Sequence, residues 1–141
     1  MIIRDAASSD AAAIADLAAE IGFAMPVERV AERFRLLDDA GETPLVAEQV
    51  GSVLACLTWH VTPVLHRLTP VGRITMLVVT SRFRSRGIGR ALVEAAEARL
   101  LERGCSLVEV TSNLRLIDAH RFYERLGYEQ TSLRFAKQVC A

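Results

Sequence analysis

Apolar residues recur along the chain with two different periods, and the switches between them predict its elements. Ile2-Ile3-Arg4 reads as an edge strand. Ile14, Leu17, Ala18 and Ile21 then stand at helical spacing behind the cap-forming run Ser8-Ser9-Asp10. They predict an amphipathic helix that stops at Gly22. Pro26 predicts a second helix start, with Val30, Phe34 and Leu37 on one face and Asp38-Asp39-Ala40-Gly41 as its end. Leu45 to Val50 and Ser52 to Val61 read as strands with a hairpin turn at Gly51, although Val50-Gly51 is not among the strongest turn pairs. After a loop over Pro63 to Pro70, Gly72 to Val79 reads as a strand. Its nearly continuous apolar run, ITMLVV, predicts a central strand covered on both faces. Helical spacing returns in Ile88, Leu92, Val93, Ala96 and Leu100, and Gly104 ends it. Leu107 to Thr111 predicts a strand and Ile117 to Leu126 a short helix stopped by Gly127. Tyr128 to Val139 predicts one or two closing strands.

The order β-α-α-β-β-β-α-β-α-β predicts an α/β fold, a single domain over residues 1–141 with a mixed central sheet and helices on both faces. A chain of 141 residues, 51% of them apolar, supplies one core. No apolar run has the length needed to cross a bilayer, so no membrane partner is expected. The start MIIRDAASSD lacks a basic head and an apolar stretch, which leads to the expectation of a cytoplasmic protein.

Charge changes the picture more than composition does. The net charge is zero, yet no acidic residue falls between Glu48 and Glu94, an interval that holds Arg67, Arg73, Arg82, Arg84, Arg86 and Arg90. A compact basic region on a neutral domain fits a small anion better than nucleic acid, which asks for a broader basic face. A solvated arginine-rich surface is the plain alternative. Cys56 and Cys105 lie in apolar runs and read as small core residues, and Cys140 as a free thiol. No CxxC pair exists and the three histidines do not combine with the cysteines at ligand spacing, so no metal is expected.

The stretch SRFRSRGIGRAL, residues 81 to 92, follows the apolar strand and opens a helix. The first amides of a helix have no internal acceptor, and the helix dipole adds partial positive charge there. An anion at such a corner is held by backbone N–H groups. Gly87 and Gly89 allow close approach, and Arg84, Arg86 and Arg90 add charge nearby. The corner is neither a P-loop nor a dinucleotide fingerprint, since GxxxxGK[ST] and GxGxxG are both absent. As a physical signal alone it is equally compatible with an anion site and with plain turn geometry.

Two stretches carry a resemblance. LVVTSRFRSRGIGRAL is similar to the acetyl-CoA motif of the GNAT superfamily, the GCN5-related N-acetyltransferases, with Arg84, Gly87 and Gly89 at its motif positions. NLRLIDAHRFYERLGYE resembles the family's downstream segment, with Asn113 after a strand and Ala119, Phe122, Tyr123, Leu126 and Gly127 in the helix pattern. The resemblance implies an acetyl-CoA-dependent N-acetyltransferase, of the acyltransferase class EC 2.3.1, acting on a small-molecule amine or amino acid. It implies that the backbone of Leu77, Val78 and Val79 lines the pantetheine arm. The amides of Arg84, Ser85, Arg86, Gly87, Ile88, Gly89 and Arg90 would cup the diphosphate. Asn113 would bond the pantetheine or the acceptor, or else simply cap its strand.

By the same resemblance, Tyr123 is the acid that serves the departing sulfur, with aromatic core as the alternative. The base is less defined. Many members carry a glutamate on the central strand, and the corresponding position here is close to Thr75, which cannot take a proton at neutral pH. Glu109, on the neighbouring strand, is a candidate base acting through water, or a partner for an arginine. His60 and His66 flank the next loop, and histidine is the residue type suited to proton transfer near neutral pH. Acceptor contacts are expected from FAMPVERVAERF and TPVLHRLTP. Phe23, Met25, Trp59 and Leu65 would offer apolar surface there, and Glu20, Glu28 and Glu32 would draw a cationic amine. A homodimer through the terminal strands is a further expectation of the family. The missing glutamate keeps a second class open: a non-catalytic acetyl-CoA-binding sensor or structural protein.

Overall fold

A computed structural model describes residues 1–140. The chain divides into two compact units, residues 1–109 and the segment from Val110 onward. In the first, the elements are β1 (Ile2–Asp5), α1 (Ala11–Glu20), α2 (Val27–Asp39), β2 (Leu45–Gln49), β3 (Ser52–Thr62), β4 (Val71–Val79), α3 (Ile88–Glu102) and β5 (Leu107–Val110), the last crossing the boundary. The second carries α4 (Ile117–Arg125). The sheet is mixed, and its strand order follows chain order from β1 to β5. The pairs β1–β2, β2–β3 and β3–β4 are antiparallel. Helix α3 links β4 to β5, the kind of crossover that a parallel pair requires.

Each sheet face has its own helical cover. Ile14, Ala15 and Leu17 of α1 and Val30 and Phe34 of α2 bury against Val46, Cys56 and Val78. On the opposite face, α3 presents the expected stripe, and Ile88, Leu92, Val93, Ala96 and Leu100 are all buried. Gly72 of β4 lies under that stripe, where an added Cβ would stand 2.9 Å from the Leu100 side chain. Cys56 is fully buried and its thiol is pushed up to about 12, which makes it an inert core residue.

The first-unit helices keep their expected places, and Gly22, Gly41 and Gly104 all adopt positive φ beyond their ends. The hairpin also forms, with Val50 at φ 49° and Gly51 at φ 77°, both left-handed. That is a two-residue type I′ turn, although valine is a poor fit for its first central position.

Two expectations need correction. Residues 128–140 contain no helix or strand, so the closing strands are not present among the described residues. The alternation Leu133, Phe135 is broken by Lys137, and a strand needs a partner edge that local pattern does not specify. Nor is β4 covered uniformly. Thr58 pairs with Met76 but Trp59 pairs with Ile74, so Thr75 is the extra residue of a β-bulge and its side chain is exposed. Among the described residues, no helix is long and apolar enough to cross a membrane.

Candidate active site

The corner after β4 is tied down at its base. The Thr80 N–H donates to the Leu54 carbonyl at 2.8 Å, and Leu54 is itself the extra residue where β2 and β3 shift register. Glu20, the last residue of α1, reaches the same place. Its carboxylate accepts the Ser81 N–H at 2.9 Å and the Thr80 hydroxyl at 2.8 Å. These donors, the Ser81 amide first, hold the Glu20 carboxyl below its ordinary range. A carboxylate at a helix C-terminus is locally unfavourable, so its tertiary role outweighs that cost. Glu20 therefore anchors the corner, a structural role that the sequence did not suggest beyond a misplaced charge at the end of a helix.

From this base the chain makes a single 3₁₀ turn, Ser81–Phe83, and then unwinds. Arg84 is extended, at φ −66° and ψ 155°, and its Nε donates back to the Val79 carbonyl at 3.1 Å. Ser85 at φ 63° and Gly87 at φ 82° are both left-handed. Such alternation turns successive amides toward one side, the geometry of an anion nest. Gly87 caps α3, and the first bond inside the helix runs from the Ala91 N–H to the Gly87 carbonyl at 3.1 Å. The amides of Ile88, Gly89 and Arg90 thus precede the first intrahelical donor. A Cβ at Gly87 would meet nothing within 4 Å, so the backbone angle, and not crowding, demands glycine. Open space, outward amides and a helix N-terminus fit a diphosphate.

The arginines are secondary at this corner. The Arg86 guanidinium lies 5.0 Å from the centre of the Phe83 ring, and Arg90 pairs with Glu94 at 2.9 Å. Leu77, Val78 and Val79 form the end of β4, with Val78 buried against the α1–α2 side.

Further along the α1–α2 face the floor of the sheet turns polar. The hydroxyls of Thr58 and Thr75 meet at 2.6 Å across the bulge. Two residues on, His60 Nδ1 lies 2.7 Å from Glu42 Oε1, and Glu42 Oε2 accepts the Val61 N–H at 2.7 Å. Glu42 is 5% exposed, and the sequence pattern carried no sign of this dyad. An apolar hollow of about 140 Å³ opens beside Thr58 and Met76, with Met25 at its rim. A second, more polar cavity of about 290 Å³ is lined by His66, Arg67, Arg73 and Glu109. Glu109 therefore joins the arginines and His66, whereas His60 is held by Glu42. Trp59 is not acceptor surface. It points to the α3 side, donates Nε1–H to the Thr43 carbonyl at 2.9 Å and carries Arg103 5.8 Å from its ring centre. Glu32 pairs with Arg29 at 3.7 Å.

In the second unit, the Asn113 side-chain oxygen accepts the Arg115 N–H at 3.0 Å, and its carbonyl accepts the Leu116 N–H at 3.0 Å. Its side-chain oxygen thus builds the turn into α4. The Tyr123 ring meets Phe122 at 5.1 Å and Tyr128 at 5.7 Å, edge to face in both cases. Burial pushes its hydroxyl above the ordinary tyrosine range, so it keeps its proton at neutral pH and can donate.

Comparison with known proteins gives this geometry a context. The family model described as "Acetyltransferase (GNAT) family" matches residues 12–128. The aminoalkylphosphonate N-acetyltransferase of Salmonella typhimurium is 38% identical over 89 residues, 63% of this chain and 58% of that protein. The chain thus spans little more than half the length of that relative. A Bacillus halodurans C-125 protein described as a transcriptional regulator superposes with a TM-score of 0.89 at 26% identity, covering 97% of this chain and 98% of the other. An aminoglycoside N-acetyltransferase solved in complex with CoA shares the fold, with a TM-score of 0.87 at 17% identity over 99% of this chain and 95% of that one. With the family model matching all but the two ends, and with the left-handed Gly87 at the start of α3, the chain belongs to the GNAT family of acetyltransferases.

Proposed function

We propose that the protein is an N-acetyltransferase that uses acetyl-CoA as donor and acetylates the primary amine of a small molecule or amino acid. One observation carries the reading: Ser85 and Gly87 turn the backbone left-handed at the end of β4, so that the first amides of α3 open onto free space at the family's motif positions. In this reading the amides of residues 84 to 90 hold the diphosphate, and the backbone of Leu77 to Val79 pairs with the pantetheine arm. Asn113 adds a polar contact to that arm through its side-chain amide.

The chemistry follows from what each group can hold. The neutral amine attacks the thioester carbonyl carbon, a C–N bond forms and the C–S bond breaks. A strand amide donates to the oxygen as it gains charge. Tyr123 gives its proton to the departing thiolate. Glu109 takes the proton lost by the amine, through water. The same reading expects a cytoplasmic protein and a homodimer, the latter open to sedimentation velocity.

CoA and acetyl-CoA should raise the melting temperature of the wild-type protein, and Gly89→Asp should abolish the rise. No shift with either ligand would sink the proposal. One observation favours a second reading, a non-catalytic CoA-binding protein: the bulge position is Thr75, hydrogen-bonded to Thr58, where many family members place a glutamate. Tight CoA binding with no thiol release across amines, amino acids and peptides would favour it.

A further inference from the structure

Resting on the acetyltransferase reading, we infer that the cavity lined by Arg67, Arg73 and Glu109 selects acceptors carrying an anionic group at the end opposite their amine. Three segments converge there: Arg67 from the β3–β4 loop, Arg73 from β4 and Glu109 from β5. The lining holds two arginines and one glutamate, so the cavity has an excess of positive charge. That excess is built into the chain, because the whole run from β3 through β4 has no acidic residue.

The register explains why these groups share a face. Thr62 pairs with Val71 and His60 with Arg73, beyond the bulge at Thr75. The bulge resets the alternation of β4, so that Arg73 and Val71 both face this cavity. Without the extra residue, a strict alternation would turn Arg73 to the α3 side, beneath Leu100.

At about 290 Å³ the cavity is near the lower end of small-molecule sites, roughly 300–1,000 Å³. A guanidinium offers paired donors that match the oxygens of a carboxylate, phosphonate or phosphate. Thr62 lines the same cavity and adds a hydroxyl donor. Glu109, the carboxylate present, suits the ammonium end. The ligand class is therefore a short amine with a terminal anion, held as a zwitterion until the amine loses its proton.

The test compares 3-aminopropylphosphonate, 4-aminobutanoate and the uncharged 3-amino-1-propanol. Calorimetric binding is measured on the full chain saturated with CoA, alongside initial rates of thiol release with acetyl-CoA. The anionic amines should bind at least about tenfold more tightly than the alcohol, with the advantage shrinking between low and high salt. The stronger of the two anionic arms identifies the anion. Arg67→Gln and Arg73→Gln should each bring the preference close to unity. Arg67 is solvent-exposed, so its replacement tests the cavity even if the Arg73 variant folds poorly. Equal binding of all three amines, or a preference that survives in folded Arg67→Gln, overturns the inference. Failure of the two readings is separable. No thiol release from acetyl-CoA with any amine defeats the acetyltransferase, while the amine titrations, repeated without CoA, still score the cavity. Good turnover of the alcohol over both anionic amines defeats the cavity reading alone.

Discussion

Arg4 and Asp10 show how one residue pair stabilises the start of the fold. The Arg4 guanidinium donates to both Asp10 oxygens, at 2.8 and 3.0 Å, and the same carboxylate accepts the Ala7 N–H at 2.7 Å. Arg4 holds the Asp10 carboxyl below its ordinary range. A carboxyl lowered by folding stabilises fully above its unfolded pKa, near 3.9, and loses that contribution as pH falls through the folded value. Asp10→Asn should cost about 2 kcal/mol at pH 7 in urea denaturation. The difference from wild type should shrink as the pH is lowered from 5 toward 2.5. Tyr123 belongs to the same scale. Burial keeps it protonated, so Tyr123→Phe should lower kcat by about 100-fold or more while changing the KM for acetyl-CoA only a few-fold. An unchanged kcat would leave Tyr123 as aromatic packing.

At the scale of elements, the β2–β3 hairpin is strained at a place that can be repaired. Val50 is almost fully exposed and sits at φ 49°, so it loses conformational energy and gains no burial. A β-branched residue in the left-handed region costs about 1–2 kcal/mol. Val50→Asn should recover about 1 kcal/mol, read as a higher urea midpoint with an unchanged slope. The weak turn pair was legible in the sequence, and so was the hairpin, because alternation on both sides of Gly51 left little else for the chain to do. The helices were legible for the same local reason: Ile88, Leu92, Val93, Ala96 and Leu100 form their stripe whatever lies opposite. The bulge at Thr75 was not legible. Its signature is a register difference between two strands, and ITMLVV reads identically with or without it.

For the whole molecule, the packing of α3 on the sheet rests on a glycine. Gly72→Ala would push a methyl to 2.9 Å from Leu100, whose fully buried side chain would have to shift. A cost of about 1–3 kcal/mol is expected. Adding Leu100→Val should recover part of it, and a double-mutant cycle by thermal or urea unfolding would measure the coupling. Simple additivity would show that the two positions do not share space. At this scale too, the corner depends on a distant partner, because Glu20 bonds Ser81 across 61 residues; separately, Arg99 near the end of α3 pairs with Asp5 of β1 across 94.

Up to α4 the sequence by itself determined the kinds of element and their order, and it marked the glycine-arginine corner. Periodicity, caps and positive-φ glycines act over a few residues and need no partner. It also carried the family, because SRFRSRGIGRAL and NLRLIDAHRFYERLGYE are contiguous. Tertiary structure alone decided which polar residues meet. It took Glu20 to the corner, closed Glu42 on His60, turned Trp59 to the far face and brought Arg67, Arg73 and Glu109 to one cavity. Those meetings depend on the path of the backbone and on a single inserted residue in β4, and neither is written in the identity of the residues that meet.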